Sequence, residues 1–268
     1  MTAVSDLEIL LTNDDGIDAP GITAMADELE SLGAVTVVAP ASNRSACGRA
    51  ISSSVSVEET GAGYAVTGTP ADCVVAGLAE LCPDADVVVA GCNGGANLGT
   101  YTLGRSGTIS AAVEATFFDV PAIATSAYIP VGDRRVADVT TEPAEYAAAT
   151  RVTRYLVEQT VPTGVLSPST YLNVNVPLAA TPPLRLECTR PSERYEMTAS
   201  RDGVAISIED GVWRTMDPNE IPDPPGTDRR AVAEGAVSVS PLTPTHAVDG
   251  SAEFETIVRN FSTASDAA

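Results

Sequence analysis

Apolar and polar positions along the first two thirds of the chain follow two rhythms. Short, nearly continuous apolar runs stand at 7–11 (LEILL), 35–39 (VTVVA), 86–90 (DVVVA) and 120–126, each bounded by turn residues. Runs of that length and setting predict buried strands. Between them lie stretches whose apolar residues recur three and four apart: 19–32 (Ile22, Met25, Ala26, Leu29, Leu32), 70–81, 106–118 and 145–159. That spacing predicts amphipathic helices, with Gly33 closing the first and Pro70 in the opening turn of the second. Shorter strands are expected at 51–57 and 64–67, with a polar loop at 41–49 and a long glycine-rich loop at 91–105. Strands alternating with helices define an α/β fold with a mostly parallel sheet between helical layers.

The pattern changes after residue 178. Proline gathers at 179–183 and 218–225, and the segments between read as β-hairpins at 184–189 and at 203–208 with 211–214. A short helical spacing returns at the end (Phe254, Ile257, Val258, Phe261). The expected division is a domain over 1–178 and an extension over 179–268 with hairpins and a tail helix.

Charge narrows the functional classes. The 268 residues carry 36 acidic and 15 basic side chains, a formal −21, and lysine is absent. Such a surface repels nucleic-acid phosphates and anionic membranes, so neither is expected as a partner. It suits concentrated salt, where a Debye length of about 3 Å at 1 M screens self-repulsion. No apolar run is long enough to cross a bilayer and the first residues lack a basic segment, so a cytoplasmic protein is expected. Five scattered cysteines without a C-x-x-C pair read as reduced thiols.

In a parallel sheet, ligands bind beyond the carboxyl ends of the strands. Three loops there are richer in small polar residues than a connector needs. In Thr12-Asn13-Asp14-Asp15-Gly16, two adjacent carboxylates at the end of an apolar strand call for a cation, although one of them would serve as a helix cap. An EF-hand does not fit, because no acidic residue occupies the twelfth loop position. The second loop, Ser42 to Gly48, contains Asn43, Arg44 and Ser45 and suits a phosphate, a hard metal ion or an ordinary polar turn. The third runs from Gly91 through Asn93 and Asn97 to Gly99, and ends at Ser106-Gly107-Thr108. Glycine-loop and helix-start N–H groups cradle phosphate, yet neither G-x-x-x-x-G-K-[ST] nor G-x-G-x-x-G is present. With His246 the only histidine, His-rich metal centres are excluded and a Ser-His-Asp triad has one candidate base.

These segments together resemble the survival protein E (SurE) family of acid phosphatases and 5′/3′-nucleotidases. The resemblance rests on Ile9 to Gly16, Ala19-Pro20-Gly21-Ile22, Val38-Ala39-Pro40 with Asn43-Arg44-Ser45, and Thr67 to Cys73. It continues through Gly91 to Gly99, Ser106-Gly107-Thr108, Asn173 to Pro177, Thr227-Asp228 and Val237 to Leu242. It implies a Rossmann-like three-layer α/β/α domain and a C-terminal extension that supports a homodimer or homotetramer. It also implies one divalent ion per subunit, Mg²⁺ or Mn²⁺, held by Asp14, Asp15, Ser45 and Asn93. Asn43, Asn97, Ser106, Gly107 and Thr108 would contact the phosphate of a nucleoside 5′-monophosphate, with 3′-monophosphates as a further substrate class.

The implied chemistry is hydrolysis by a metal-activated water, with Asp14 and Asp15 as catalytic carboxylates and the second of the pair accepting the proton. Two rivals stand beside it: an aspartyl-phosphate mechanism, for which the usual D-x-D spacing and lysine are missing, and a nucleotide-binding sensor without turnover. Arg190, Arg194 and Tyr195 are open between substrate, subunit and plain surface contacts.

Overall fold

The computed structural model describes residues 7–130 and 139–245. The expected tail helix and His246 lie outside those residues.

The chain runs β1 (Leu7–Thr12), α1 (Pro20–Leu29), β2 (Gly33–Pro40), β3 (Val57–Thr60), β4 (Gly63–Val66), α2 (Pro70–Ala76), β5 (Val87–Gly94), α3 (Thr100–Leu103), α4 (Gly107–Phe117) and β6 (Ala122–Tyr128). It continues with α5 (Ala147–Thr160), β7 (Tyr171–Pro177), β8 (Leu186–Cys188), β9 (Met197–Asp202), β10 (Ala205–Asp210), α6 (Asp228–Ala233) and β11 (Val237–Leu242). Nine strands form one sheet in the order β3-β4-β2-β1-β5-β6-β7-β11-β8, parallel from β4 to β7.

Alternation along β1 shows how the layers form. Ile9 and Leu11 join the core that contains Ile22, Met25 and Leu29 of α1 and Val152 and Leu156 of α5. Leu10 faces the other way, into the core with Val74 of α2 and Ile109 and Val113 of α4. Successive strand side chains point to opposite faces, so a strand buried on both faces must be apolar at every position. Strand order reverses beside β1, with β2 on one side and β5 on the other. That reversal is the switch point at which the loops diverge and a crevice opens.

Several expectations are corrected. No strand spans 51–56: the Ser52 N–H and hydroxyl both bond the Asp72 carboxylate, and pairing begins only at Val57. The glycine-rich loop is shorter than expected, because β5 runs on to Gly94, with Asn93 opposite Ser126 of β6, and α3 interrupts the remainder. The segment 184–189 is not a hairpin. Its strand β8 pairs in parallel with β11 at the sheet edge, and β11 pairs antiparallel with β7. The sheet therefore continues across the division expected at 178. The hairpin that does form joins β9 to β10 around Gly203, and 211–215 is a 3-10 turn. Both faces of that ribbon are largely exposed, so its sequence carries no in–out alternation to read.

Candidate active site

The site is built where β1 ends. The side chain of Asn13 spans the turn, with Nδ2 donating to the Gly16 carbonyl at 2.8 Å and Oδ1 accepting from the Gly16 N–H at 3.2 Å. Gly16 has φ +106°, and a Cβ there would lie 3.3 Å from the Asn43 N, so the turn and the loop after β2 meet in backbone contact. Alternation sends Asp14 toward the α4 face, where the Thr108 hydroxyl donates to its Oδ1 at 2.6 Å. Asp15 turns to β5 and accepts the Gly94 N–H at 2.8 Å and the Asn43 Nδ2 at 3.3 Å.

The carboxylates are short of positive charge. Asp14 is 3% exposed, and burial, followed by the neighbouring Asp15 charge, raises its pKa to about 6. Burial also raises Asp15. Neither makes an ion pair among the described residues. Two adjacent desolvated carboxylates without a counter-ion have the chemistry that could hold a hard cation. Among the described residues no group of three or more His, Cys, Asp or Glu side chains could hold a metal. A cation held there would draw its further ligands from neutral oxygens.

Ser45 and Asn93 lie on the segments tied to the pair and carry such oxygens. The backbone N–H of Arg44 donates to the Asp14 carbonyl at 2.7 Å, and Asn43 Oδ1 accepts the N–H of exposed Ser45 at 2.9 Å, so the 43–45 segment is tied to the Asp14–Asp15 turn. Asn93 is buried at the end of β5 and gives its amide nitrogen to the Gly95 carbonyl, so Oδ1 is the atom that could accept a cation. This donor set fits a divalent ion of the Mg²⁺ or Mn²⁺ kind.

The phosphate candidates divide. Ser106 caps α4 by accepting the Ile109 N–H at 3.1 Å, and its own hydroxyl proton stays available. Gly107 lies so close that a Cβ would fall 2.8 Å from the Asp14 Cβ, which brings the helix start into contact with the carboxylate. Thr108 spends its hydroxyl on Asp14. Asn97 is 5% exposed and is held from several sides: its N–H donates to Asn175 Oδ1, its Nδ2 to Ser126 Oγ, and its carbonyl accepts from Asn173 and Asn175. Asn97 thus latches the glycine loop to β6 and β7.

That latch escaped the sequence reading, although two asparagines at i and i+2 on one face of a buried strand were its visible signal. A second missed group is Asp228, fully buried, which accepts the N–H groups of Gly99 at 2.7 Å and Ser192 at 2.9 Å. Beyond the pair, a cleft of about 450 Å³ opens between Asp15, Asn43, Gly94, Ile129 and Tyr146.

A doubly wound α/β protein with an acidic, oxygen-donor crevice at its switch point is the class that fold and site define. Comparison narrows it: residues 9–198 match the family described as Survival protein SurE, to which the chain belongs. It is 55% identical over 245 residues to a protein of Natronomonas pharaonis named 5′-nucleotidase SurE, covering 91% of this chain and 95% of that one. A Haloarcula marismortui protein of the same name is 54% identical over 254 residues, covering 94% of each chain. Among solved structures, the SurE protein from Aquifex aeolicus superposes with a TM-score of 0.72 at 31% identity, covering 89% of this chain and 94% of that one. Among the described residues no helix is long and apolar enough to cross a membrane.

Proposed function

We propose that the chain is a divalent-metal-dependent phosphomonoesterase that hydrolyses nucleoside 5′-monophosphates, and 3′-monophosphates as a second class, to nucleoside and phosphate. The observation that carries this reading is the buried Asp14–Asp15 pair, without a counter-ion, in contact with the N-terminus of α4. Anion binding alone would exclude such a pair, whereas phosphoryl transfer uses it to hold a cation against a phosphate. The nucleotidase names of the relatives at 54% and 55% identity support the substrate class.

A divalent ion, when bound by Asp14, Asp15, Ser45 and Asn93, supplies charge neutralisation and a water of lowered pKa. The Ser106 hydroxyl and the first N–H groups of α4 orient the phosphoryl oxygens and stabilise the charge that develops on them. Thr108 holds Asp14 in position, and Asn43 does the same for Asp15. Asp15, the less buried carboxylate, accepts the proton of the attacking water. The lysine-free acidic surface suits this work to concentrated salt in the cytoplasm.

Phosphate release from 5′- and 3′-nucleoside monophosphates in high-salt buffer, with Mn²⁺, Mg²⁺ or EDTA, tests the reading. Release that EDTA abolishes is expected. Nucleotide binding without release from any member of the panel would favour a sensor instead.

The same reading includes a homodimer or homotetramer built on the 179–268 region. Val204, Ile206 and Ile208 share a parity on β10 and its turn and are 102%, 61% and 70% exposed. A two-stranded ribbon with an uncovered apolar stripe is marginal in water until another surface covers it. Sedimentation of the wild type is expected to give a dimer or tetramer, and Ile206→Asp a smaller species. A wild-type monomer would end this part of the proposal.

A further inference from the structure

Beside the phosphate end of the site stands an aromatic cluster that hydrolysis of a bare phosphate ester does not require. Tyr101 of α3 lies five positions before Ser106. The ring of Tyr195 meets it edge to face, with centroids 4.9 Å apart and planes at 80°. The guanidinium of Arg105 lies over the Tyr101 ring, 5.1 Å from its centroid, and Nη1 donates to the Tyr101 hydroxyl at 3.0 Å. Tyr195 is 63% exposed, so the outer part of its ring is open to solvent. In a chain of net charge −21, Arg105 has no carboxylate partner among the described residues.

The cluster is held at the site from two sides. The Gly48 N–H donates to the Arg105 carbonyl at 3.1 Å, which ties the turn after α3 to the loop carrying Ser45. The buried Asp228 carboxylate accepts from both Gly99 and Ser192, and the Thr100 N–H donates to the Ser192 carbonyl at 2.7 Å. Segments far apart in sequence, 99–105 and 192–195, are thereby fastened together, with Tyr195 set against Tyr101.

Resting on the nucleotidase reading, we infer that Tyr101, Tyr195 and Arg105 form the nucleobase subsite, where the base of the substrate stacks while its phosphate lies at Ser106 and Asp14. Exposed aromatic rings and a guanidinium plane are the sequence-tolerant surface on which bases stack. The rival location is the cleft beside Asp15. Its lining includes Asp15 and Asn43 but none of Asp14, Asn97, Ser106, Gly107 or Thr108, whereas the cluster shares a segment with Ser106.

The test uses the full chain with Mn²⁺ and compares adenosine 5′-monophosphate with glycerol phosphate, which has no ring to stack. Tyr195→Ala is expected to lower the ratio of the two kcat/KM values about 10-fold, the change that about 1.4 kcal/mol of stacking gives. It is expected to weaken binding of fluorescent ethenoadenosine by a similar factor, and Tyr195→Trp to retain both. Because the Tyr195 side chain is exposed, the alanine variant is expected to fold, and a melt within about 2 °C of wild type checks this. A wild-type ratio in Tyr195→Ala, or an equal loss on both esters, overturns the subsite. A loss confined to Thr141→Trp, which narrows the cleft, would move the base there. Ethenoadenosine binding that depends on Tyr195, without phosphate release from any ester, would sink the hydrolase reading and leave the subsite standing. Phosphate release independent of Tyr195 would do the reverse, and neither binding nor release would overturn both.

Discussion

Asp14→Asn is expected to give a folded protein that releases no phosphate and has lost its affinity for Mn²⁺. The substitution preserves shape and an oxygen at Oδ1 for the Thr108 hydroxyl, which donates there at 2.6 Å in the wild type. It removes one of the two negative charges on which the cation site depends, and the remaining donors of Ser45 and Asn93 are neutral. Its effect on stability should run the other way. Asp14 is 3% exposed and lacks an ion pair among the described residues, so without metal its charge is a cost of the fold. The thermal midpoint in EDTA should therefore stay level or rise while activity vanishes. Mn²⁺ titration calorimetry, a phosphate-release assay and a melt read these effects separately. Release at the wild-type rate would end the assignment of Asp14 to the metal.

Asp228→Ala is expected to be the most damaging single change for stability, at about 3 to 5 kcal/mol. The carboxylate is fully buried and accepts three backbone N–H groups, from Gly99 at 2.7 Å, Ser192 at 2.9 Å and Arg229 at 2.7 Å. Alanine leaves all three without an acceptor in a buried site and removes a negative charge beside the buried Arg229 guanidinium. Arg229 keeps its pairing with Asp223, at 3.2 Å, so the loss falls mainly on the clamp between the glycine loop and the 190–195 segment. For a chain of this size the midpoint should drop by roughly 10 °C. Nucleotide turnover should fall with it, because the turn that leads into Ser106 is released. A melt within about 2 °C of wild type would show that the clamp contributes little.

The order in which these residues could be recognised follows their distance along the chain. The β1 strand, helix α1, strand β2 and helix α4 were legible because each rests on a local apolar rhythm, and the Asp14–Asp15 turn because two carboxylates after an apolar run conflict with burial. Ser106 was legible as a helix start. The roles of its neighbours were not. Thr108 reads as a phosphate contact, and its hydrogen bond to Asp14, 94 positions away, appears only in the fold. Asn97 likewise reads as a phosphate contact, and its bond to Asn175, 78 positions away, is supplied only when β7 is in place. The strand order beyond β7 was illegible for the same reason. Short segments such as Leu186–Cys188 carry no pattern that names their partner, and pairing with β11 is chosen by the sheet edge left open.

By itself, the sequence determined the α/β class, the strands and helices of the first half, the acidic turn, and the absence of lysine that shapes the surface. Those follow from burial periodicity and from side-chain chemistry within a few residues. Tertiary structure alone decided that Asp14 and Asp15 diverge to α4 and β5, that Asn97 is a latch, that Asp228 fastens the glycine loop, and that Tyr195 stands against Tyr101. Each of these depends on a hydrogen bond or ring contact between segments separated by tens of residues or more. Such contacts exist only after the sheet has set the positions of the loops, so no local pattern encodes them.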